Sequence, residues 1–137
     1  MNLGHWKLSE GIVITVDTFG FIYEIENTIT RKKYIGKKQC KRKLKRKPLK
    51  GKKNKRIEIK ESDWKEYTSS SSDLNEDILK YGKDKFEFKI IRVCNSKWEL
   101  AYFEIKEQIE KNVLLREDYY NGIINVRIGR PPKNLEV

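Results

Sequence analysis

The chain has 137 residues, 37% of them hydrophobic and 37% charged, which suits one domain with a modest core burying roughly two thirds of the unfolded surface. No apolar run approaches the roughly 20 residues that cross a bilayer, and the first residues, MNLGHWKLSEG, lack a signal-peptide core, so a cytoplasmic protein without a membrane partner is expected. Two cysteines, Cys40 and Cys94, and a single histidine, His5, near an N-terminus expected to be loosely held, exclude a disulfide framework, a zinc site and a His-based triad, leaving tyrosine, carboxylate, arginine and lysine for any catalysis.

The formal net charge is +11, and residues 37–56, KKQCKRKLKRKPLKGKKNKR, hold 13 of the 31 Lys and Arg and no acid. The rest of the chain is nearly balanced, with 18 basic and 20 acidic residues. Repulsion among so many like charges opposes packing, so this segment is predicted to be a solvated loop or arm. A solubilising run or a contact to an acidic membrane would carry such charge. A polyphosphate backbone accounts for it better, because no amphipathic anchor helix accompanies it and phosphate contact releases counterions.

In chain order, GIVITV (11–16) and FGFIYEIE (19–26) read as strands rich in β-branched and aromatic residues, with Phe21, Tyr23 and Ile25 on one face. Residues 27–31 form a polar connection, 33–38 the return strand, and a three-stranded antiparallel sheet results. After the basic segment, SSDLNEDILKY (71–81) is a predicted helix with serines at its N-cap and Gly82 at its end. FEFKIIRV (86–93) is a strand carrying Phe86, Phe88 and Ile90 on one face. Ser96 and Glu99 form a capping box opening a helix to about Lys111, with an apolar stripe of Trp98, Ala101, Tyr102, Ile105 and Ile109. The order implies a single α+β domain, a small antiparallel three-stranded sheet flanked by helices, with an extended tail over about 127–137.

Two features invite chemistry. Glu104 falls at the border of the predicted stripe, where a carboxylate needs a partner: a hard cation such as Mg²⁺, or a lysine or arginine. Tyr23 and Tyr34 sit on adjacent strands, where packing alone would explain each. Their combination with a following glycine, the lysines and a lone helical glutamate is harder to explain by packing.

Those residues resemble the GIY-YIG nucleases, a family named for two strand tripeptides about ten residues apart. Tyr34-Ile35-Gly36 matches the second fully, and Phe21-Ile22-Tyr23 stands for the first with phenylalanine in place of glycine. Helix, strand, glutamate-bearing helix and a late Tyr120-Asn121 follow in the same order, so the resemblance spans about residues 19–125. The stretches YIGKKQ, DWKEYTSSSSDLNEDILKYG and YYNGIIN look most like small phage-encoded, homing-type endonucleases.

The resemblance implies a metal-dependent DNA endonuclease that hydrolyses a phosphodiester with one Mg²⁺, or another divalent cation such as Mn²⁺. It implies Glu104 as the metal ligand, Tyr23 or Tyr34 acting on the attacking water, and Asn121 shaping the site. The family's arginine would fall at Leu44, flanked by Arg42 and Arg46; Arg42 is the first choice and Arg46 the alternate, because a guanidinium holds two phosphate oxygens and stays charged. Lys38, at strand spacing on the Tyr34 face, is a further cation. General backbone binding is the competing role for all three. Lys41, Lys43, Lys45, Arg46, Lys47, Lys52, Lys53, Lys55 and Arg56 are expected to contact DNA, the glycine-bearing stretch 51–55 through phosphates. Trp64 is expected in the core. A non-catalytic nucleic-acid-binding module on the same scaffold is the alternative reading. No second DNA-reading domain is visible, so specificity is low, built into the loops, or supplied by a partner or a homodimer.

Overall fold

The computed structural model describes residues 1–125 and 127–133. Its central sheet has the order β1-β6-β2-β3 and is built from β1 (Trp6–Leu8), β2 (Gly20–Asn27), β3 (Lys33–Gln39) and β6 (Phe86–Cys94). A separate two-stranded sheet pairs β4 (Lys41–Arg46) with β5 (Arg56–Glu61), and the helices are α1 (Ser72–Tyr81) and α2 (Lys97–Glu110). The α+β layout is as predicted.

β2 is the hub because both of its faces are apolar. Phe21, Tyr23 and Ile25 enter a cluster with Trp6, Trp64, Leu74, Phe88 and Ile90 on one side of the sheet. Ile22 points the other way and packs with Ile35, Leu100 and Val113 beneath α2. β2 runs antiparallel to β3 and β6, and the β2–β6 register shifts between Ile22 and Tyr23. Such a bulge increases local twist and re-aims the side chain beside it. Here that side chain is Tyr23.

Both helices start as predicted. Ser71 Oγ accepts from Leu74 N–H at α1, and Ser96 Oγ accepts from Glu99 N–H at α2. α1 ends at Gly82, whose φ of 94° is open to glycine. Phe86, Phe88 and Ile90 are buried on one face of β6. Cys40 and Cys94 are buried free thiols, and burial pushes each up to about 12.

Five expectations are corrected. Residues 11–16 form no strand; Val13 and Val16 are exposed, and Thr15 and Thr18 close a tight turn instead. β-Propensity without a partner strand does not suffice. The sheet's fourth strand is β1, which runs parallel to β6 with Trp6 opposite Phe88. His5 is no loosely held end: its ring stacks on Phe88 at 3.9 Å and its Nε2 lies 2.9 Å from the Tyr67 carbonyl.

The basic segment is a hairpin rather than a loop, with six register pairs from Lys41 opposite Glu61 to Arg46 opposite Arg56. Its return strand, RIEIKE, lies largely beyond the acid-free run and brings Glu58 and Glu61 back among the cations. Glu58 accepts from Arg46 at 2.6 Å, which relieves the repulsion that argued for an open arm. The predicted stripe of α2 is likewise displaced: Tyr102 and Ile109 are exposed, whereas Leu100 and Gln108 are buried. Residues 127–133 carry no helix or strand, and the rest of the expected tail, 134–137, lies outside the described residues.

Candidate active site

The outer edge of β3 organises the site. An edge strand leaves N–H and C=O groups unpaired, and here each is met differently. Lys33 N–H donates to Asp118 O, and Tyr120 N–H donates to Lys33 O. Two residues on, the Asn121 side chain acts as a peptide substitute: Ile35 N–H donates to its Oδ1 at 3.0 Å, and its Nδ2 donates to Ile35 O at 2.8 Å. Gln108 Nε2 from α2 donates to the same carbonyl at 3.0 Å. Beside Lys37 stands the Glu104 carboxylate, whose charged form the Lys37 ammonium and, to a lesser degree, its amide favour. Lys37 Nζ lies 3.8 Å from Glu104 Oε1.

Leu100, Glu104 and Gln108 follow one another at i, i+4 and i+8, so a single face of α2 supplies the packing residue, the carboxylate and the amide. That polar content is why an apolar count misplaced the helix's inner face. The Trp98 and Tyr102 rings stack on each other outside it, 4.9 Å apart, and Trp98 Nε1 donates to Gly129 O.

Tyr23 is 1% exposed and pairs with Gly36 in the β2–β3 register. Its ring lies stacked with that of Tyr34 at 6.1 Å and edge-on to Tyr67 at 6.2 Å. Burial raises the Tyr23 phenol well above its ordinary value, with the neighbouring phenols and Glu104 adding to the effect. Burial also raises Tyr34, and the nearby Ser70 hydroxyl partly opposes this. Glu104 lies close enough to raise Tyr23, Tyr34 and Tyr67 alike, and its own carboxyl is raised by burial.

Lys38 follows Tyr34 and Gly36 on the same strand face. Its Nζ lies 2.7 Å from Asp63 Oδ1 and 4.1 Å above the centre of the Tyr67 ring. Lys37, Lys38, Gln39, Arg42, Ser62, Asp63 and Leu100 line a cleft beside this edge. Of the two candidate arginines, Arg42 thus stands at the cleft, whereas Arg46 lies farther along the hairpin, held by Glu58.

The structure therefore brings Tyr23, Tyr34, Lys38, Glu104 and Asn121 to one strand edge with Arg42 at its mouth. Lys41, Lys43 and Lys45 lie on β4, Arg56 opens β5, and Lys47, Lys52, Lys53 and Lys55 fall in the connection between the strands. Lys37, Asp63 and Ser70 join the site without having been singled out, and Tyr67 turns its ring to Tyr23 and Lys38. The phase of α2 is the signal that would have found Lys37, since Glu104 four residues from buried Leu100 must meet the sheet. Trp64 is in the core at 3% exposure, as expected.

Among the described residues, no group of three or more His, Cys, Asp and Glu side chains converges as a metal cage. A single carboxylate fits Mg²⁺, which commonly keeps several waters and takes its other ligands from phosphate. The Lys37 contact, longer than a charge-assisted hydrogen bond of about 2.8 Å, leaves Glu104 with acceptor capacity to spare.

Comparison with known proteins bears on the same residues. No curated protein and no solved structure matches the chain. Residues 6–124 match the family model described as "Putative endonuclease segE, GIY-YIG domain", a span that runs from β1 past Asn121 and includes both tyrosines and Glu104. The chain belongs to the GIY-YIG endonuclease family.

Proposed function

We propose that this protein hydrolyses DNA phosphodiesters with one divalent cation, Mg²⁺ or Mn²⁺, at the edge of β3. One observation carries the reading: a half-buried carboxylate, Glu104, stands beside Lys37 on the strand that carries Tyr34, near enough to that phenol and to buried Tyr23 to raise both, with a cationic cleft along the same strand. Packing does not require that carboxylate, and burial works against its charge.

Glu104 would hold the metal. When bound, the cation would offset negative charge on the phosphoryl oxygens. Arg42 and Lys38 bind the phosphate at the cleft, the arginine through a two-pronged contact and the lysine as a point charge. Tyr23 and Tyr34 are neutral phenols at neutral pH because burial disfavours their phenolates. A neutral phenol accepts a hydrogen bond from the attacking water and aims it at phosphorus. The water's proton would pass to a phenolate made accessible by a cation beside it, a place that Lys38 can fill, and the departing sugar oxygen would take a proton from solvent. Asn121 holds β3 in position and touches no substrate.

The family description names an endonuclease, which fits cleavage of DNA; the homing-type, phage-encoded setting inside a host cell rests on the sequence resemblance alone. Among the described residues, no helix is long and apolar enough to cross a membrane. One cleft cuts one strand, so a double-strand break would take two visits or a homodimer.

A specific contact favours a second reading: Lys37 supplies Glu104 with a counter-ion in the absence of metal, as a non-catalytic nucleic-acid-binding module would need. Supercoiled plasmid separates the two. Nicked and linear products with Mg²⁺, and none with EDTA, are expected; retention of the plasmid without any cutting in Mg²⁺ or Mn²⁺ would select the binding module.

A further inference from the structure

The β4–β5 hairpin sorts its charges by type. In an antiparallel pair, opposed residues share a face and alternate residues change face. From the register, Arg42, Leu44 and Arg46 share one face with Lys60, Glu58 and Arg56. Lys41, Lys43 and Lys45 share the other with Glu61, Ile59 and Ile57. Every arginine of the ribbon is therefore on one face and every lysine of β4 on the other. Contacts agree with this, since Glu58 bonds Arg46 at 2.6 Å and stands 3.9 Å from Lys60.

The ribbon pairs with no strand of the central sheet, and all of β5 is exposed, with Ile57 and Ile59 at 66% and 63%. An isolated two-stranded hairpin is marginal in water. This one is secured at its root, where Ser62 N–H donates to Cys40 O and Cys40 N–H donates to Phe19 O. The root flanks the cleft: Lys38 precedes β4, Asp63 follows β5, and these two are ion-paired.

We propose that the ribbon enters the major groove of duplex DNA with its arginine face toward the base edges, so that Arg46 and Arg56, at its far end, read guanines several base pairs from the scissile phosphate. This rests on the nuclease reading for the position of the cut, though not for the binding itself. Two strands fit a groove about 12 Å wide, and six residues extend roughly 20 Å along it. Arginine is the side chain suited to the paired acceptors of guanine, whereas lysine makes the sequence-independent phosphate contacts. The lysine face and the Lys47–Lys55 connection then hold the backbone. Duplex RNA is disfavoured because its deep, narrow major groove excludes side chains.

The test is selection of bound duplexes from a randomised DNA library by the full chain, Arg46→Lys/Arg56→Lys and Lys43→Ala/Lys45→Ala. The wild-type chain is expected to enrich a guanine-bearing motif, and 7-deazaguanine in that motif to weaken binding roughly tenfold. The arginine variant keeps its charge and should lose the motif at those positions while binding unselected DNA within a few-fold of wild type. The lysine variant should keep the motif, bind every sequence more weakly, and show a salt slope smaller by about 0.9 per lysine removed. No motif from the wild-type chain, a motif unchanged in the arginine variant, or equal competition by duplex RNA would overturn the proposal. A motif of this kind without cutting would uphold ribbon readout and remove only the hydrolytic reading.

Discussion

Tyr23 and Gly36 face each other across β2 and β3, and the Tyr23 hydroxyl occupies the space a side chain at 36 would need. A Cβ there would overlap that hydroxyl and stand 2.8 Å from Tyr34 Cε1. The glycine of the second tripeptide is thus explained by the tyrosine of the first, rather than by close approach of a phosphate to the strand. Gly36→Ala is expected to push the two rings apart, costing roughly 1–3 kcal/mol of stability and most of the cleavage activity. Thermal melting and plasmid cutting measured on the same preparation check it. Wild-type activity in Gly36→Ala would show that the position of the Tyr23 hydroxyl is unimportant.

Asn121 substitutes for a neighbouring strand at Ile35, donating to its carbonyl and accepting from its amide. Asn121→Ala leaves a buried Ile35 N–H unpaired and should cost about 1–3 kcal/mol; Gln108 still serves the carbonyl. Denaturant unfolding measures this. Activity assayed under conditions where the variant is fully folded should recover substantially, as befits a residue that positions β3 without touching DNA.

His5 is neutral in the folded protein, since burial and Lys83 lower it from 6.5 to about 4. The unfolded chain therefore binds more protons between those values, and stability rises with pH across the window. Acidification from 6.5 toward 4 should lower the Tm of the wild-type chain through this group, and His5→Gln should flatten that portion of the profile. Equal slopes in both proteins would assign the acid sensitivity elsewhere.

Glu104 has the opposite sign. Its folded carboxyl is raised by burial, so the folded state binds the extra proton and stability falls as pH rises through the unfolded value toward the folded one. Relative to wild type, Glu104→Gln should gain stability between pH 4 and pH 7. Melts at those two values give the comparison, and a relative loss would mean that Lys37 outweighs desolvation.

Asp63 neutralises the cation that faces the cleft, at 2.7 Å from Lys38. With its carboxylate exposed to solvent, a pair of this kind is worth about 1 kcal/mol, so Asp63→Asn should tighten DNA binding by up to roughly fivefold. Fluorescence anisotropy at fixed salt reads it, and weaker binding would make Asp63 an organiser of Lys38 rather than its competitor.

Much of this site was legible in the chain because its signals are local. Tyr23 and Tyr34 are separated by ten residues across one hairpin, the caps at Ser71 and Ser96 precede their helices, and Phe86, Phe88 and Ile90 alternate in one strand. What escaped depends on distant partners. Trp6–Leu8 is a strand only because β6 lies beside it, and GIVITV is none because nothing does. The inner face of α2 was misjudged because Glu104 and Gln108 are turned inward by unpaired groups on the edge of β3, which no apolar count registers. Tyr67 stands 29 residues beyond Lys38 in the sequence, and only closure of the β4–β5 ribbon brings Asp63 and Tyr67 back to it.

The most direct measurement compares binding and cutting in the same samples, using wild-type protein and Glu104→Gln on one duplex with Mg²⁺. Equal retardation of the duplex by both proteins is expected, with cleavage by the variant slower by roughly 10²–10³-fold or more and cleavage by wild type abolished by EDTA. Cutting by Glu104→Gln at the wild-type rate, or by wild type in the chelator, would contradict hydrolysis at the edge of β3.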